Sequence, residues 1–429
     1  MNRQASKLLR VACILLACAA GVFAGHRLVA QATLPAQPVV ITTDGLIDAR
    51  TFGVVADGQH DDSPALQAAI DYAINTATCR GVQLPPGIIR LGSPLKIWPL
   101  TPGGQPSVVL CGVTHPAGFS DGSHQTVLRP DFANAPILSI QTGRGVVIEG
   151  IVFDGLLRRG WEPNYTDVFQ LSNFAANGVR DSRYSPQCAI AFDPSGNGSV
   201  PGDGGFPGFD YSSRRNGSSN CIVRDCVIRN CIVGILADPN GVNSNTSELL
   251  FERLAIKACK VAYACGGTQA KVVTFRDPII TGVNTAFDTV NYGPGKGRPP
   301  KLVTGGSIGI CAAIADYATD GGGTAFEGVS GESIGSLGTF GVAPSGAASV
   351  SSFSGCDLLF NVNPNGPTPD WLTLGQQLAL RDSTLTTDHQ LRAILSGNLR
   401  IDSVRWNPYG TISPAAMMWW SDPSKVSAN

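Results

Sequence analysis

Short apolar segments, each followed by a glycine, aspartate or serine break, recur along most of this 429-residue chain. Each segment is too short for a helix and has the length of a β-strand. The steps between consecutive segments are mostly 21 to 28 residues. The segments begin, in chain order, at Val147, Val223, Phe251, Phe275, Phe326, Phe353, Leu380 and Ile401.

Two intervals depart from this rhythm. Phe275 and Phe326 are 51 residues apart, which leaves room for one further repeat around Val303. Ile148 and Val223 are 75 residues apart, and this longer interval predicts an insertion over residues 156–219. The remaining repeats are close enough in length to stack on one another.

A period near 25 residues with strand-like segments predicts an all-β solenoid of stacked coils. One coil cannot bury its own apolar face, so its neighbours above and below complete the core. A leucine-rich repeat would need regular leucine and asparagine positions, and a propeller would need repeats of about 40 residues. We therefore expect a single-stranded, right-handed parallel β-helix.

Residues 47–91 predict how the solenoid begins. Ile47–Val55 is expected to be a strand, and Ser63 is expected to cap a helix whose first turn contains Pro64. A helix in this position would close the open end of the first coil. The apolar side of this helix is predicted to contain Leu66, Ile70, Tyr72 and Ile74.

This segment resembles the N-terminal module of the pectate lyase superfamily, in particular its rhamnogalacturonase and epimerase-like members. The shared motifs are Phe52-Gly53, Asp57-Gly58, Asp61-Asp62-Ser63, Ala65-Leu66-Gln67-Ala68-Ala69-Ile70-Asp71 and Leu84-Pro85-Pro86-Gly87. The resemblance implies a pectin-lyase-type β-helix and a polysaccharide as the partner, with the chemistry located further along the chain. Asp61 and Asp62 precede a helix, where negative charge is favourable, so we interpret them as structural.

The catalytic signatures of known relatives are absent. The chain has no Gly-His-Gly, no Asn-Thr-Asp and no Trp-x-Asp-His, and Phe192-Asp193-Pro194 is only a partial echo of the epimerase pattern. Asp193, Ser195, Asn197 and Gly198 resemble the start of a calcium loop, but Gly204 stands where a glutamate should close it. A glycine-rich turn is favoured, and no metal or other cofactor is assigned.

The composition and the first residues indicate an exported protein. Only 15% of the residues are charged and the net charge is −1, so nucleic acid is excluded as a partner. The uncharged run Val11–Ala24 follows a basic start and predicts a signal peptide over residues 1–32. A lipoprotein site at Cys18 and an uncleaved anchor are the alternatives, and no other membrane contact is expected. The protein is then secreted, periplasmic or on the cell surface.

The mature chain is predicted to be one domain. Residues 33–46 form a linker, 47–412 the β-helix and 413–429 a C-terminal tail that shields the last coil or contacts a partner. Ten cysteines remain after residue 32, and none forms a close Cys-x-x-Cys pair. They are interpreted as small buried core residues, with one or two disulfides as the alternative.

The insertion at 156–219 holds nine aromatic residues in 64 positions, twice the average density of the chain. Such rings either stack on sugars or form a satellite core that fixes the loop to the solenoid. Lyase chemistry needs a base and a cation, whereas glycoside hydrolysis needs two carboxylates. The candidate sugar contacts are Trp161, Phe209, Tyr211, Arg214 and Arg224.

The candidate catalytic residues are Asp203, Asp210, Asp225 and Glu252. Asp225 and Glu252 are predicted to face one groove from successive coils, about 4.8 Å apart. The sequence thus predicts an exported polysaccharide lyase or glycoside hydrolase that acts near the insertion. A non-catalytic carbohydrate-binding or cell-surface β-helix is the alternative.

Overall fold

The computed structural model describes most of the chain from residue 40 onward. Residues 1–39, which comprise the predicted signal peptide and half of the predicted linker, lie outside the described residues. The described residues are 40–100, 104–114, 124–175, 179, 181, 186–194, 217–239, 241, 246–267, 270, 272–292, 297–317, 322–341, 350–363, 369–409 and 418–428.

Within these residues the strands form three parallel columns, A, B and C, and the chain passes through them in that order in each coil. Column A is a 13-stranded sheet. Its strands are β1 (Leu46–Asp48), β3 (Gly81–Gln83), β6 (Val109–Cys111), β9 (Val147–Glu149), β12 (Ser219–Arg224), β15 (Ser247–Glu252), β18 (Val273–Arg276), β20 (Leu302–Thr304), β22 (Ala325–Glu327), β25 (Val350–Ser354), β28 (Gln377–Arg381), β31 (Leu399–Asp402) and β34 (Val426–Ala428).

Columns B and C share the second sheet, because two long strands, β19 (Ile279–Asp288) and β21 (Ser307–Tyr317), run through both. The other strands of column B are β2 (Asp57–Asp61), β4 (Gly87–Leu91), β7 (Thr126–Pro130), β10 (Val152–Asp154), β13 (Val227–Arg229), β16 (Ala255–Lys257), β23 (Ser330–Ile334), β26 (Asp357–Phe360), β29 (Thr384–Thr387) and β32 (Arg405–Pro408). The other strands of column C are β5 (Leu95–Ile97), β8 (Leu138–Ile140), β11 (Cys188–Phe192), β14 (Val233–Ala237), β17 (Val261–Cys265), β24 (Gly338–Phe340), β27 (Leu372–Leu374), β30 (Leu391–Leu395) and β33 (Met418–Trp420).

The strand register confirms the predicted parallel β-helix. Val223 pairs in parallel with Ile148 on one side and with Phe251 on the other, across the 75-residue interval. The predicted extra coil is present, and its strand in column A is β20, because Val303 pairs with both Phe275 and Phe326. The apolar residue chosen from each repeat therefore occupies one inward-facing row of column A.

The polar break after each segment has a conformational cause. Residues at the corner from column A to column B adopt the left-handed conformation, which glycine, asparagine and aspartate tolerate best. The short turn lets the chain change direction with two residues between strands. The corner residues with positive φ include Gly150, Asp225, Arg253, Asp277, Gly305, Gly328, Gly355, Asp382 and Ser403.

A single α-helix in the described part of the chain, α1 (Ser63–Asn75), packs on the first coils, as the sequence predicted. Its cap differs from the prediction: the side chain of Asp61, rather than Ser63, accepts a hydrogen bond from the Ser63 backbone N–H at 3.0 Å. Asp62 is buried and accepts from the backbone N–H groups of Val55 and Ala56. Both carboxylates are thus structural.

Three local predictions need correction. The strand expected over 47–55 is instead β1 followed by a 3₁₀-helix at Ala49–Phe52, which ends where Gly53 adopts φ 100°. The predicted insertion 156–219 contains a regular strand of the solenoid, β11, so two loops leave the coil where one was expected. The solenoid also continues past residue 412, because β33 and β34 extend both sheets into the predicted tail.

The interior of the solenoid is a continuous apolar core. Aromatic rings stack from coil to coil, and the rings of Phe326 and Phe353 lie 4.3 Å apart and nearly parallel. All ten cysteines after residue 32 lie in the described residues, and none forms a disulfide there. Nine of the ten are buried, which agrees with the interpretation as small core residues.

Candidate active site

Glu252, one of the predicted catalytic residues, lies on the outer edge of column A. It is in register with Arg224 on the preceding coil and with Arg276 on the following coil. Arg276 Nη1 donates to Glu252 Oε1 at 3.0 Å, and Arg224 Nε donates to Glu149 Oε2 at 2.7 Å. Arg224, predicted to bind sugar, is therefore one member of a ladder of alternating charges.

Asp225 lies one residue further along, at the left-handed corner. Nε and Nη2 of Arg253 donate to its two carboxylate oxygens at 2.7 and 2.8 Å. The expectation that Asp225 and Glu252 stack on one another is therefore wrong by one residue. The Arg253 hydrogen bonds lower the pKa of Asp225, which suits a permanently charged ion pair better than a proton donor.

The remaining predicted site residues divide in two groups. Trp161 lies in the β10–β11 loop, which we define as residues 155–187, and its ring contacts Phe174 edge-on at 5.3 Å. Phe174 is buried in a satellite cluster with Leu157 and Val168 against the outer face of column C. The described part of the loop thus forms a satellite core. The other predicted residues, Asp203, Phe209, Asp210, Tyr211 and Arg214, lie outside the described residues.

Asp193, which suggested an epimerase-like motif or a calcium loop, is fully buried behind β11. Its carboxylate accepts hydrogen bonds from the backbone N–H groups of Thr142 and Ser218 at 2.8 and 2.7 Å and from the hydroxyl of Thr246 at 2.5 Å. This carboxylate fixes the chain where it leaves column C. The rest of the suggested calcium loop, residues 195–204, lies outside the described residues.

A different pair of carboxylates lies on the outer face of column C. One outward-facing row of this column contains, in register, Leu236, Ala264, Asp288, Asp316 and Thr339. Leu236 and Ala264 are buried under the β10–β11 loop in the satellite cluster. Along this row, the residues covered by the β10–β11 loop are apolar, and the next two positions are stacked aspartates.

Asp288 and Asp316 are held together by one amide. Asn291 Nδ2 donates to Asp288 Oδ2 at 2.8 Å and to Asp316 Oδ2 at 3.3 Å. Asp288 also accepts from the backbone N–H groups of Val290 and Asn291 at 2.7 and 3.0 Å, so it is almost fully hydrogen-bonded. Asp316 has fewer partners and keeps part of its surface open to solvent.

This environment favours the protonated form of Asp316. Burial raises the pKa of Asp316 to about 6, and the negative charge of Asp288 one coil away acts in the same direction. Burial also raises the pKa of Asp288, against the hydrogen bonds from Asn291. Two stacked carboxylates in a partly buried site share protons as a pair, and one of them can then act as an acid near neutral pH.

A third carboxylate and a lysine lie beside this pair. Tyr292, the residue after Asn291, donates its hydroxyl to Asp181 Oδ1 at 2.7 Å. Lys260 forms an ion pair with the same carboxylate and lies near enough to Asp288 to favour its charged form. The site thus contains a carboxylic acid with a raised pKa and a second carboxylate held by a tyrosine and a lysine.

The sequence analysis did not identify Lys260, Asp288, Tyr292 or Asp316 as site residues, and it did not single out Asp181, which lies within the predicted insertion 156–219. A signal was available. The coil offset from Phe275 to Val303 is 28 residues, and Asp288 and Asp316 are also 28 apart. Equal offsets place two residues in the same row, so this pair of aspartates could have been predicted to stack.

Within the described residues, no group of three or more histidine, cysteine or acidic side chains is arranged to hold a metal ion. No helix in the described part of the chain is long and apolar enough to cross a membrane.

The strand register and the capping helix define the chain as a parallel β-helix protein, the fold that the resemblance of residues 47–91 implied. No protein-family model and no curated protein sequence matches the chain.

Solved structures resemble it in fold. The A-module of the mannuronan C-5 epimerase AlgE4 from Azotobacter vinelandii is 11% identical with a TM-score of 0.49, over 89% of this chain and 94% of that one. A family 28 exopolygalacturonase from Yersinia enterocolitica is 13% identical with a TM-score of 0.48, over 90% and 77%. The enzymatically active domain of a tailspike protein from bacteriophage CBA120 is 11% identical with a TM-score of 0.45, over 87% and 51%. Likeness at this level concerns the fold alone.

Proposed function

We propose that this chain is an exported enzyme that cleaves a polysaccharide by glycoside hydrolysis, with Asp316 as the proton donor. The single observation that carries the proposal is the stacked pair of Asp288 and Asp316, in which Asp316 has a pKa of about 6 and partial access to solvent. A carboxylic acid of this kind can protonate the oxygen of a glycosidic bond as the bond breaks. The basic and apolar start of the chain supports export.

Each neighbour of Asp316 has a distinct part in this proposal. Asp288 is a positioning residue, because its charge and its hydrogen bonds keep the proton on Asp316. Asp181 is the second carboxylate, which pairs with Lys260 and acts as the base or the nucleophile. The Tyr292 hydroxyl orients Asp181. Trp161, on the partly exposed rim of the β10–β11 loop, is the ring on which we propose that a sugar face packs.

The charge of the site favours hydrolysis over elimination. Among the described residues it has three carboxylates, Asp181, Asp288 and Asp316, and one lysine that is already paired. A lyase must bind the carboxylate of a uronate next to the abstracted proton and neutralise it. A uronate would meet a negative field here, so we propose a neutral sugar at the cleaved bond.

The test is product release from a panel of neutral and acidic polysaccharides by the mature chain. We expect new reducing ends without the ultraviolet absorbance of an unsaturated uronate. Asp316→Asn should lower kcat by about 10²- to 10⁴-fold, whereas Asp382→Asn, at an exposed corner position, should leave kcat unchanged. Absorbance of an unsaturated product would instead identify a lyase. Binding without any product would identify the non-catalytic alternative.

A further inference from the structure

A cluster of arginines on the outer face of column B is not used by the proposed hydrolysis. One outward-facing row of this column contains Arg129, Asp154, Arg229 and Lys257, and Asp154, Arg229 and Lys257 are directly in register. Arg129 continues the row one coil before Asp154. The cluster is separate from Asp316, which lies on the outer face of column C.

Asp154 forms the floor of this cluster. Its side chain is only 3% exposed, whereas those of Arg129 and Arg229 are 31% and 17% exposed. Arg129 Nη2 donates to Asp154 Oδ2 at 2.9 Å, Arg229 Nη2 approaches the same oxygen at 3.4 Å, and Asn230 Nδ2 donates to Oδ1 at 2.7 Å. The carboxylate is thus covered by guanidinium groups, which present positive charge to the solvent.

Two more arginines lie at the edge of the cluster. Arg159 Nε and Nη2 donate to the backbone carbonyls of Gly155 and Pro130 at 2.9 and 2.6 Å, which fixes its guanidinium beside Arg129 and Asp154. Arg90 Nε binds the carboxylate of Asp131 at 2.5 Å. In its two hydrogen bonds Arg159 thus donates to backbone carbonyls and not to a carboxylate.

The cluster carries more positive charge than its own carboxylates can balance. Four guanidiniums, of Arg90, Arg129, Arg159 and Arg229, lie near three carboxylates, of Asp61, Asp131 and Asp154, in a chain whose net charge is −1. Burial lowers the pKa of Arg159; the negative charge of Asp154 opposes this shift, and the positive charge of Arg129 adds to it.

The donors of the cluster are also incompletely used. Nε of Arg129 is buried and has no hydrogen-bond partner among the described residues. Nε of Arg229 is also buried and lies 3.3 Å from Asp154 Oδ1 without hydrogen-bond geometry. An excess of like charge costs free energy, and folds retain such costs mainly at functional positions. A bound anion would offset this charge.

We propose that the guanidinium cluster of Arg129, Arg159 and Arg229 binds an oxyanion, namely a carboxylate, sulfate or phosphate group carried by a carbohydrate. Guanidinium groups form paired, charge-assisted hydrogen bonds with such groups. The side chains in the next coils of column B favour a carbohydrate as the molecule that carries the oxyanion. Lys257 is in register with Thr281, and Thr281 lines a groove of about 620 Å³.

This groove has the chemistry of a sugar-binding surface. Hydroxyl groups of Thr281, Ser307, Ser330 and Thr386 line it together with apolar side chains such as Leu359 and with two carboxylates, of Glu332 and Asp357, which suit the neutral part of a glycan. Hydroxyls and exposed apolar atoms can match the mixed surface of a sugar ring. An acidic glycan could thus place its anionic group on the arginines and extend its neutral residues along the groove.

Calorimetric titration of the mature chain tests the proposal with three probes: inorganic phosphate, inorganic sulfate and an oligosaccharide of neutral sugars that ends in one glucuronate. We expect saturable binding of the oligosaccharide, weaker binding of the free ions, and loss of affinity as salt shortens the Debye length from about 10 Å at 0.1 M to about 3 Å at 1 M. Arg159→Gln should weaken binding about tenfold or more. Arg159→Lys, which keeps the charge, should recover part of the loss.

The controls separate this site from the proposed active site. Arg276→Gln removes an exposed arginine from the charge ladder and should bind the probes as the wild type does. Asp316→Asn should also bind them normally, so a failure of the hydrolysis proposal would leave this result intact. Equal affinity of Arg159→Gln and the wild type, or no saturable binding of any probe, would overturn the oxyanion site. Binding of the free ions alone would overturn the carbohydrate source.

Discussion

Asp316 stacks directly on Asp288 in column C, and the side-chain amide of Asn291 donates a hydrogen bond to each of them. The two aspartates come from different coils and are brought together by strand register alone. Because Asp288 is almost fully hydrogen-bonded, Asp316 is the member that is free to exchange a proton with a substrate. The pair therefore predicts how activity depends on pH.

Activity should fall as pH rises through the pKa of Asp316, because the acid must be protonated to act. The pKa of about 6 places the alkaline limb of the kcat profile near that pH. In Asp288→Asn the limb should move to lower pH by about one unit or less, since one like charge is removed while burial remains. A pH series of kcat for both proteins measures the shift. If the alkaline limb of the kcat profile did not move in Asp288→Asn, Asp316 would not be the acid in the reaction.

The same residue should reduce stability at neutral pH. The pKa of Asp316 rises from 3.8 to about 6 on folding, so the native state holds a proton that the unfolded chain releases between these values. The contribution of protonated Asp316 to the free energy of unfolding is therefore fully present below about pH 4 and is lost as the pH rises through about 6. Asp316→Asn should be more stable than the wild type by up to about 3 kcal/mol at pH 7.5. Denaturant unfolding at pH 4 and pH 7.5 tests this, and an equal difference at both pH values would contradict it.

The ion pair of Asp225 and Arg253, at the corner between columns A and B, should contribute little to either activity or stability. Asp225 and Arg253 are 41% and 50% exposed, and exposed ion pairs contribute about 0–1 kcal/mol. Asp225→Asn is a suitable variant, because asparagine tolerates the left-handed backbone at this corner. We expect kcat within twofold of the wild type and a free energy of unfolding lower by less than about 1 kcal/mol. A large loss of kcat without a loss of stability would restore the catalytic role first predicted for Asp225.

The inward face of the solenoid could be predicted from sequence because burial forces apolar residues into a periodic pattern. Val223, Phe251 and Phe275 were placed correctly in one row, since any shift of one residue would turn them out to solvent. The capping helix was predicted for the same reason. Outward-facing residues are under no such constraint, so their rows carry no repeating signal.

Outward-facing residues therefore had to be assigned to rows by comparing their separation in sequence with the length of the local coil. Two residues share a row only when the two lengths are equal. Val223 and Phe251 are 28 residues apart, whereas Asp225 and Glu252 are 27 apart, so these two could not share a row. Asp288 and Asp316 do share the local offset of 28. The raised pKa of Asp316 could not be predicted at all, because it depends on burial and on the charge of Asp288 in the folded chain.

The β10–β11 loop allows the two roles considered for its aromatic residues to be separated. Phe174 is 2% exposed in the satellite cluster, and Trp161 packs on it from the partly exposed rim. Phe174→Ala should lower the free energy of unfolding by about 3–5 kcal/mol, whereas Trp161→Ala should cost less because its ring is only partly buried. If the rim contacts sugar, Trp161→Ala should raise KM more than it lowers kcat.

The stacked rings of the main core predict the largest stability effect. The ring of Phe353 lies 4.3 Å from that of Phe326, with 5° between their planes, and both are buried in column A. Phe353→Ala should lower the free energy of unfolding by about 3–5 kcal/mol, because neighbouring coils cannot close the cavity without breaking their strand pairing. Phe353→Leu retains most of the volume and should cost less than about 1.5 kcal/mol. Denaturant unfolding with a constant m-value measures both changes, and equal losses for the two variants would show that the row is not packed as tightly as the ring distances indicate.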